Sequence, residues 1–217
     1  EKEALLREIH HRVKNNLQIV SSLLSIQADR FRDTYDRALF AESQSRIKAM
    51  AHVHDQLYRS GDFSSIPAKE YIEDLLGELC LAYAPGNRER CTSSYCVQSD
   101  GSALPLDLAV PCGLLINELA TNAFKYAFGP NGGNVLVTVC TNADGDLTIS
   151  VEDDGAGFPE GFDAAKSGGM GYTIIGALIQ QLGGTLELGR SSSGGASITF
   201  RVPQAKHQEQ EKAQAQP

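Results

Sequence analysis

Two adjacent histidines stand in the run Glu8-Ile9-His10-His11-Arg12-Val13-Lys14-Asn15-Asn16, and helical geometry separates them. At about 100° of turn per residue, Leu6, Ile9, Val13, Leu17, Val20 and Leu24 form one apolar stripe. His10 falls roughly 70° from the middle of that stripe and His11 roughly 170° from it, so His11 points into solvent. Packing gives no reason for an imidazole there. At its ordinary pKa of about 6.5, an imidazole is a nucleophile whose neutral form is well populated near pH 7. A solvated surface histidine would look the same, so the second half of the chain has to decide between them.

That half holds Asn117-Glu118-Leu119-Ala120-Thr121-Asn122-Ala123-Phe124-Lys125-Tyr126. Glu118, Asn122 and Lys125 recur at i, i+4 and i+7, one face of an otherwise apolar helix. Polar groups on a buried face are costly unless a ligand or complete hydrogen bonding satisfies them. An amide oxygen suits Mg²⁺, which takes hard oxygen ligands and keeps waters and phosphate oxygens in its shell. A lysine nearby can neutralise phosphate. Further on, Val151-Glu152-Asp153-Asp154-Gly155-Ala156-Gly157-Phe158 reads as a strand ending in D-x-G-x-G. An anionic Asp153 only accepts hydrogen bonds and could take one from an exocyclic amine such as that of adenine. Gly168-Gly169-Met170-Gly171 opens a helix, where unpaired backbone N–H groups and the helix dipole favour phosphate. Gly194-Gly195-Ala196-Ser197 is a tight turn between strands. Each motif alone has a plain alternative, since Gly-x-Gly is commonly a turn and D-x-G-x-G also serves loops and calcium sites. The four in this order are specific.

The elements that must position these groups follow from periodicity. Two long helices come first, at about 1–30 and 35–59, with Asp33-Thr34 as the turn. The second has Leu39, Ser43, Ile47, Met50, His54 and Leu57 on its inward stripe, which makes His54 a packed histidine. A hairpin of this length cannot bury both stripes alone, so a dimeric four-helix bundle is its natural completion. After Gly61-Asp62 come an extended segment near Phe63–Ile66, a helix at 67–84, a strand at Thr92–Gln98 and a buried helix at 105–127. Strands at Val135–Cys140 and Leu147–Asp153, a glycine-rich loop over 155–169, a helix at 171–182 ending at Gly183-Gly184, and strands at Thr185–Leu188 and Ala196–Val202 complete the pattern. The tail from Gln204 has no apolar face and reads as disordered.

Composition narrows the function classes. With 217 residues and 41% hydrophobic content, the chain supports one ordinary core and a smaller element. Residues 1–60 carry ten Lys/Arg against eight Asp/Glu, and the remainder nine against nineteen. An acidic chain without a basic run argues against nucleic-acid binding. No stretch approaches the roughly 20 apolar residues of a membrane span, and no signal peptide opens the chain. It begins at Glu1 already in helical register, as an excised fragment would, so a sensory part is expected upstream. Cys80, Cys91, Cys96, Cys112 and Cys140 form no C-x-x-C, a reduced, cytoplasmic-type pattern. Cys112 and Cys140 lie in apolar runs and read as small core residues.

On these motifs the chain resembles the GHKL superfamily of ATP-binding domains and, more narrowly, the sensor histidine kinases. The segment His11-Arg12-Val13-Lys14-Asn15-Asn16-Leu17-Gln18 is similar to the acceptor helix of the subgroup related to the HWE kinases. The chain has no Trp, which fits a sister group better than the HWE branch proper. The resemblance implies an α+β fold. Residues 1–60 would be the dimerisation and phosphotransfer hairpin, 61–203 a Bergerat-type α/β sandwich that binds ATP, and 204–217 the tail. It implies that His11 is phosphorylated and that Asn122 holds Mg²⁺. Lys125 and Tyr126 would contact the nucleotide, and Asp153 would bind the adenine amine. Gly155 and Gly157 would shape the base pocket, and Gly169 and Gly171 would face the phosphates.

Glu118 stands where relatives that hydrolyse ATP keep a general base. Many histidine kinases place an acid directly after the acceptor; here that neighbour is Arg12, so Glu8 and Glu118 both stand for the base. Asn15, one turn after His11, would position water for the reverse phosphatase reaction. The partners implied are a response-regulator receiver domain and a second copy of the chain. Two rivals predict other outcomes. A degenerate scaffold would transfer no phosphate, and a GHKL ATPase would hydrolyse ATP without labelling itself.

Overall fold

The computed structural model describes residues 2–28, 33–60, 64–83, 93–129, 132–163 and 169–203. The expected tail over 204–217, Cys91 and the 164–168 part of the glycine-rich stretch lie outside the described residues, as do the side chains of Leu6, Arg7, His10 and Leu57. The chain divides into two compact units: residues 1–75 with 103–117, and residues 76–102 with the chain from 118 onward.

The first unit is built on two helices, α1 (Lys2–Ala28) and α2 (Thr34–Ser60), each within two residues of the expected span. Lys14 on α1 forms an ion pair with Asp55 on α2, and Gln44 Nε2 donates to the Ser21 carbonyl at 3.1 Å. The apolar stripes sit differently from expectation. On α1, Val13, Leu17 and Leu24 are half-buried, whereas Ile9, Ile19, Val20, Leu23 and Ile26 are 45–59% exposed. On α2 the expected row of Leu39, Ile47, Met50 and His54 is only half-buried. Ala49, Val53 and Gln56 are buried instead, about 100° further round the helix. The cause is a second set of partners. A two-stranded antiparallel sheet pairs β1 (Ser65–Pro67) with β3 (Ala103–Pro105), placing Ile66 opposite Leu104. Helix α3 (Ala68–Tyr83) sends the Tyr71 hydroxyl to the Ala49 carbonyl at 3.5 Å, and Gln56 Nε2 donates to Asp74 Oδ2 at 2.7 Å. Tyr71 fits because α4 (Leu106–Asn122) carries Gly113 there; a Cβ at that position would lie 1.6 Å from the Tyr71 hydroxyl. Cys112 is buried as expected, and burial pushes its thiol up to about 12.

The second unit is a five-stranded sheet in the order β2-β4-β5-β7-β6. Its strands are β2 (Ser94–Ser99), β4 (Asn134–Thr141), β5 (Leu147–Asp153), β6 (Thr185–Arg190) and β7 (Ala196–Val202). Among the described strands only the β2–β4 pair is parallel. Strict alternation buries Val135, Val137 and Val139 on β4, Leu147, Ile149 and Val151 on β5, and Ile198, Phe200 and Val202 on β7, so the sheet has one apolar face. With Leu76, Leu79, Leu119, Ala120, Ile175, Ile179 and Leu182 these residues make the unit's core. The same alternation corrects Cys140. It follows Val139 and points to the other face, where it is exposed rather than a core residue. Helix α5 (Gly169–Gln181) ends as expected at Gly183-Gly184. Gly184 N–H donates to the Ile179 carbonyl and Gly183 N–H to that of Gln180, with Gly183 at φ 58, which is a Schellman cap.

Candidate active site

Asp153 is the last residue of β5, and the period-2 alternation that buries Leu147, Ile149 and Val151 buries it too. Its Oδ1 accepts from the backbone N–H of Gly155 at 2.9 Å and of Ala196 at 3.1 Å. The Ser191 hydroxyl donates to its backbone carbonyl at 2.7 Å. These bonds fix the carboxylate plane, and among the described residues none goes to Oδ2. Two glycines allow the approach. A Cβ on Gly195 would lie 2.1 Å from the Asp153 carbonyl oxygen and 2.4 Å from Oδ1. The late glycine turn therefore packs against the carboxylate. At Gly155 a Cβ would lie 2.2 Å from the Ala127 carbonyl, which accepts instead from Ala156 N–H at 3.1 Å. Gly157 has φ 71, and a Cβ there would lie 3.1 Å from the Gly194 carbonyl.

The helix carrying Glu118 and Asn122 does not continue as an α-helix to residue 127. It passes into a π-helical turn, Ala123–Ala127, so the i, i+4, i+7 face stops at Asn122 and Lys125 follows a wider turn than expected. Lys125 Nζ lies 5.5 Å from the centroid of the Tyr83 ring, within cation–π range. Tyr126 is largely exposed. Glu118 is buried. The first turn of α5 comes up to this helix at Gly171. A Cβ there would sit 3.4 Å from Glu118 Oε2 and 3.9 Å from Asn122 Oδ1. The absent side chain thus leaves a cradle between Glu118, Asn122 and the N-terminus of α5, which starts at Gly169 with φ 59.

Asn122 Nδ2 is buried without a hydrogen-bond partner among the described residues. An unpaired buried amide costs about 1–3 kcal/mol, and a phosphate or a metal-bound ligand in the cradle would satisfy it. Because a carboxamide can present either its oxygen or its nitrogen at that point, the residue fits an oxygen-coordinated divalent cation as well as an anion. No three His, Cys, Asp or Glu side chains gather as a metal site among the described residues. A cation held at Asn122 would therefore have to arrive with ligands of its own.

Sequence reasoning missed an aromatic wall beside Asp153. Phe158 and Phe162 stack at 4.9 Å, and Tyr172 meets Phe162 edge-on at 5.5 Å. Burial and the Asp153 charge push the Tyr172 hydroxyl up to about 12. The sequence signals were the aromatic residues directly after two of the glycine motifs, Phe158 after Gly157 and Tyr172 after Gly171.

On α1, His11 is exposed as its helical position requires. Its Nδ1 lies 3.4 Å from Asn15 Nδ2. Arg12 Nε bonds Glu8 Oε1 at 2.7 Å, and Lys14 is committed to Asp55 rather than turned toward the imidazole.

Residues 8–83 match a family described as histidine kinase, and residues 109–206 match the histidine kinase-, DNA gyrase B- and HSP90-like ATPases. The sensor histidine kinase PdtaS of Mycobacterium tuberculosis is 34% identical over 207 residues, covering 93% of this chain and 40% of that protein. Blue-light-activated histidine kinase 2 of Erythrobacter litoralis is 29% identical, covering 87% of this chain and 54% of that protein. The chain thus spans about two fifths to half the length of these relatives. Among solved structures, the histidine kinase domain of Erythrobacter litoralis EL346 superposes with a TM-score of 0.68 at 26% identity, covering 95% of this chain and 94% of that one. A helical histidine-kinase module and an ATPase-type α/β domain follow each other in one chain, and the chain therefore belongs with the histidine kinases.

Proposed function

We propose that the chain transfers the γ-phosphoryl group of ATP to His11 and then to an aspartate of a response-regulator receiver domain. The observation that carries this reading is the cradle at Gly171, where the buried Asn122 amide has no partner among the described residues. Phosphoryl transfer asks a protein mainly for positioning and charge neutralisation. In this reading Asp153 Oδ2 accepts the adenine amine, the Gly155 and Gly157 turns shape the base pocket, and Gly169 and Gly171 present backbone N–H groups to the phosphates. Lys125 and Tyr126 flank the nucleotide. Asn122 holds Mg²⁺, which when bound offsets the phosphate charge. Glu8 and Glu118 could each take up a proton, and we assign the role to Glu118, which is buried and lines the cradle. Asn15 would also hold water for the reverse, phosphatase direction.

The functional boundaries we assign are 1–60 for phosphotransfer and dimerisation and 61–203 for ATP binding. The exposed row Ile9, Ile19, Val20, Leu23 and Ile26 on α1 supports a homodimer in which a second copy covers it. No described helix is long and apolar enough to cross a membrane. We place the chain in the cytoplasm, coupled to a sensor domain elsewhere in the parent protein.

The test is incubation with γ-labelled ATP and Mg²⁺ followed by acid and base treatment. A phosphoramidate label, lost in acid and stable in base, is expected. ATP hydrolysis without labelling would replace the kinase reading with that of an ATPase, and neither activity would leave a scaffold.

A further inference from the structure

We infer that Tyr172 is a specificity-determining residue of the base pocket, its hydroxyl donating to the adenine ring nitrogen N1 while Asp153 accepts from the amine beside it. This rests on the reading of Asp153 as the acceptor of the adenine amine. An anionic carboxylate only accepts, so by itself it reads a hydrogen and not a particular base. Guanine offers such hydrogens too, on its N1 and on its exocyclic amine. Selecting adenine takes a donor next to the acceptor, because N1 of adenine carries a lone pair directly beside the amine.

The donors that fix Asp153 are spent on Asp153 itself. The N–H groups of Gly155 and Ala196 bond Oδ1 at 2.9 and 3.1 Å, and the Ser191 hydroxyl bonds the backbone carbonyl at 2.7 Å. Tyr172 brings a further hydroxyl to the same carboxylate. It follows Gly171 in the first turn of α5, and its ring meets Phe162 edge-on at 5.5 Å. Phe162 in turn stacks on Phe158 at 4.9 Å. Phe158 follows Gly157, where a Cβ would lie 3.1 Å from the Gly194 carbonyl, so the wall starts from the turn that packs against Asp153. Stacked and edge-to-face contacts hold a tyrosine ring in place and with it the direction of its hydroxyl.

The spacing of the two groups suits a base edge. Burial, and after it the Asp153 charge, pushes the Tyr172 hydroxyl up to about 12, yet among the described residues no hydrogen bond joins it to the carboxylate. A donor and an acceptor that sense each other across a gap are bridged by a ligand edge that carries an acceptor and a donor side by side. The phenol is a donor throughout, since even its ordinary pKa of about 10 keeps the proton on at neutral pH. Gly171, the residue before it, faces Glu118 and Asn122. One turn of α5 thus carries both the backbone that faces the cradle and the side chain that reads the base.

The test is calorimetric titration of the whole chain with ATP and two base analogues. 1-Deaza-ATP has C–H in place of N1 and keeps the amine. Purine riboside triphosphate keeps N1 and lacks the amine. Tyr172→Phe keeps the ring and its contacts and removes only the hydroxyl. ATP should bind Tyr172→Phe about threefold to tenfold more weakly than the parent, the worth of one neutral hydrogen bond. 1-Deaza-ATP should bind the parent more weakly than ATP by a similar factor, and should bind parent and Tyr172→Phe alike. Unchanged ATP affinity in Tyr172→Phe, or an equal loss for ATP and 1-deaza-ATP, would overturn the inference, the second because it reports packing and not a bond to N1. Purine riboside triphosphate examines Asp153 separately. If it binds the parent as tightly as ATP does, the amine reading of Asp153 falls, whereas a preference for ATP over 1-deaza-ATP that survives intact in Tyr172→Phe removes only the role of Tyr172.

Discussion

In Asp153→Asn the side chain keeps its shape and exchanges one acceptor oxygen for an NH₂ group. Oδ1 holds the N–H groups of Gly155 at 2.9 Å and Ala196 at 3.1 Å, so the remaining oxygen must occupy that place and the NH₂ the place of Oδ2. Both backbone bonds survive but lose their charge assistance, which costs about 1–2 kcal/mol of stability and leaves the fold intact. At the ligand the change is larger. An adenine amine that met an anionic acceptor now meets a donor. The lost bond is worth about 1.5–3 kcal/mol, or roughly 10- to 150-fold in Kd, and the facing donors add to it. Inosine triphosphate carries a carbonyl where ATP carries the amine, so its affinity should rise relative to that of ATP. Calorimetric titration of both nucleotides into both chains, with thermal unfolding alongside, measures the effect. An ATP affinity within about threefold of the parent, in a folded variant, would refute the placement of the base against Asp153.

Other expectations follow from the same contacts. Asn122→Ala removes a buried amide that has no partner among the described residues, so stability should hold or rise by about 1–2 kcal/mol while Mg²⁺-dependent labelling is lost; denaturant melts and labelling read the two effects separately. Gly195→Ala places a Cβ against the Asp153 carbonyl and carboxylate, and should cost about 1–3 kcal/mol by chemical denaturation and weaken ATP binding as Asp153 is displaced. Between the two histidines, His11→Gln should abolish acid-labile phosphate with ATP binding near normal, whereas His10→Gln should still label; the opposite result would sink the placement of His11 on the helix.

The helices and strands were legible because burial on one side imposes a period of 3.6 or 2 on the side chains, and the observed ends fall within a few residues of those periods. Asp153 was legible for the same reason: it completes the alternation of β5 and then meets Gly155. The short strand β3 was not, since three residues carry no period, and neither was the parallel setting of β2. Cys140 shows how an apolar run misleads, because Val-Leu-Val-Thr-Val-Cys is one strand with two faces and only every second residue enters the core.

By itself the sequence determined the residue types able to do the chemistry, their order, and the separation of His11 from His10 around the helix, which depends only on the angle between successive residues. Tertiary structure alone decided how distant segments meet. It rotated the buried face of α2 toward Ala49, Val53 and Gln56, because α3 and β1 offered partners there. It turned the end of the buried helix into a π-helical turn, and it brought Gly195 against Asp153 and Gly171 against Glu118 and Asn122. Such meetings depend on close approach between backbones far apart in the chain. A glycine in the sequence announces that an approach is possible, and only the folded chain shows what approaches.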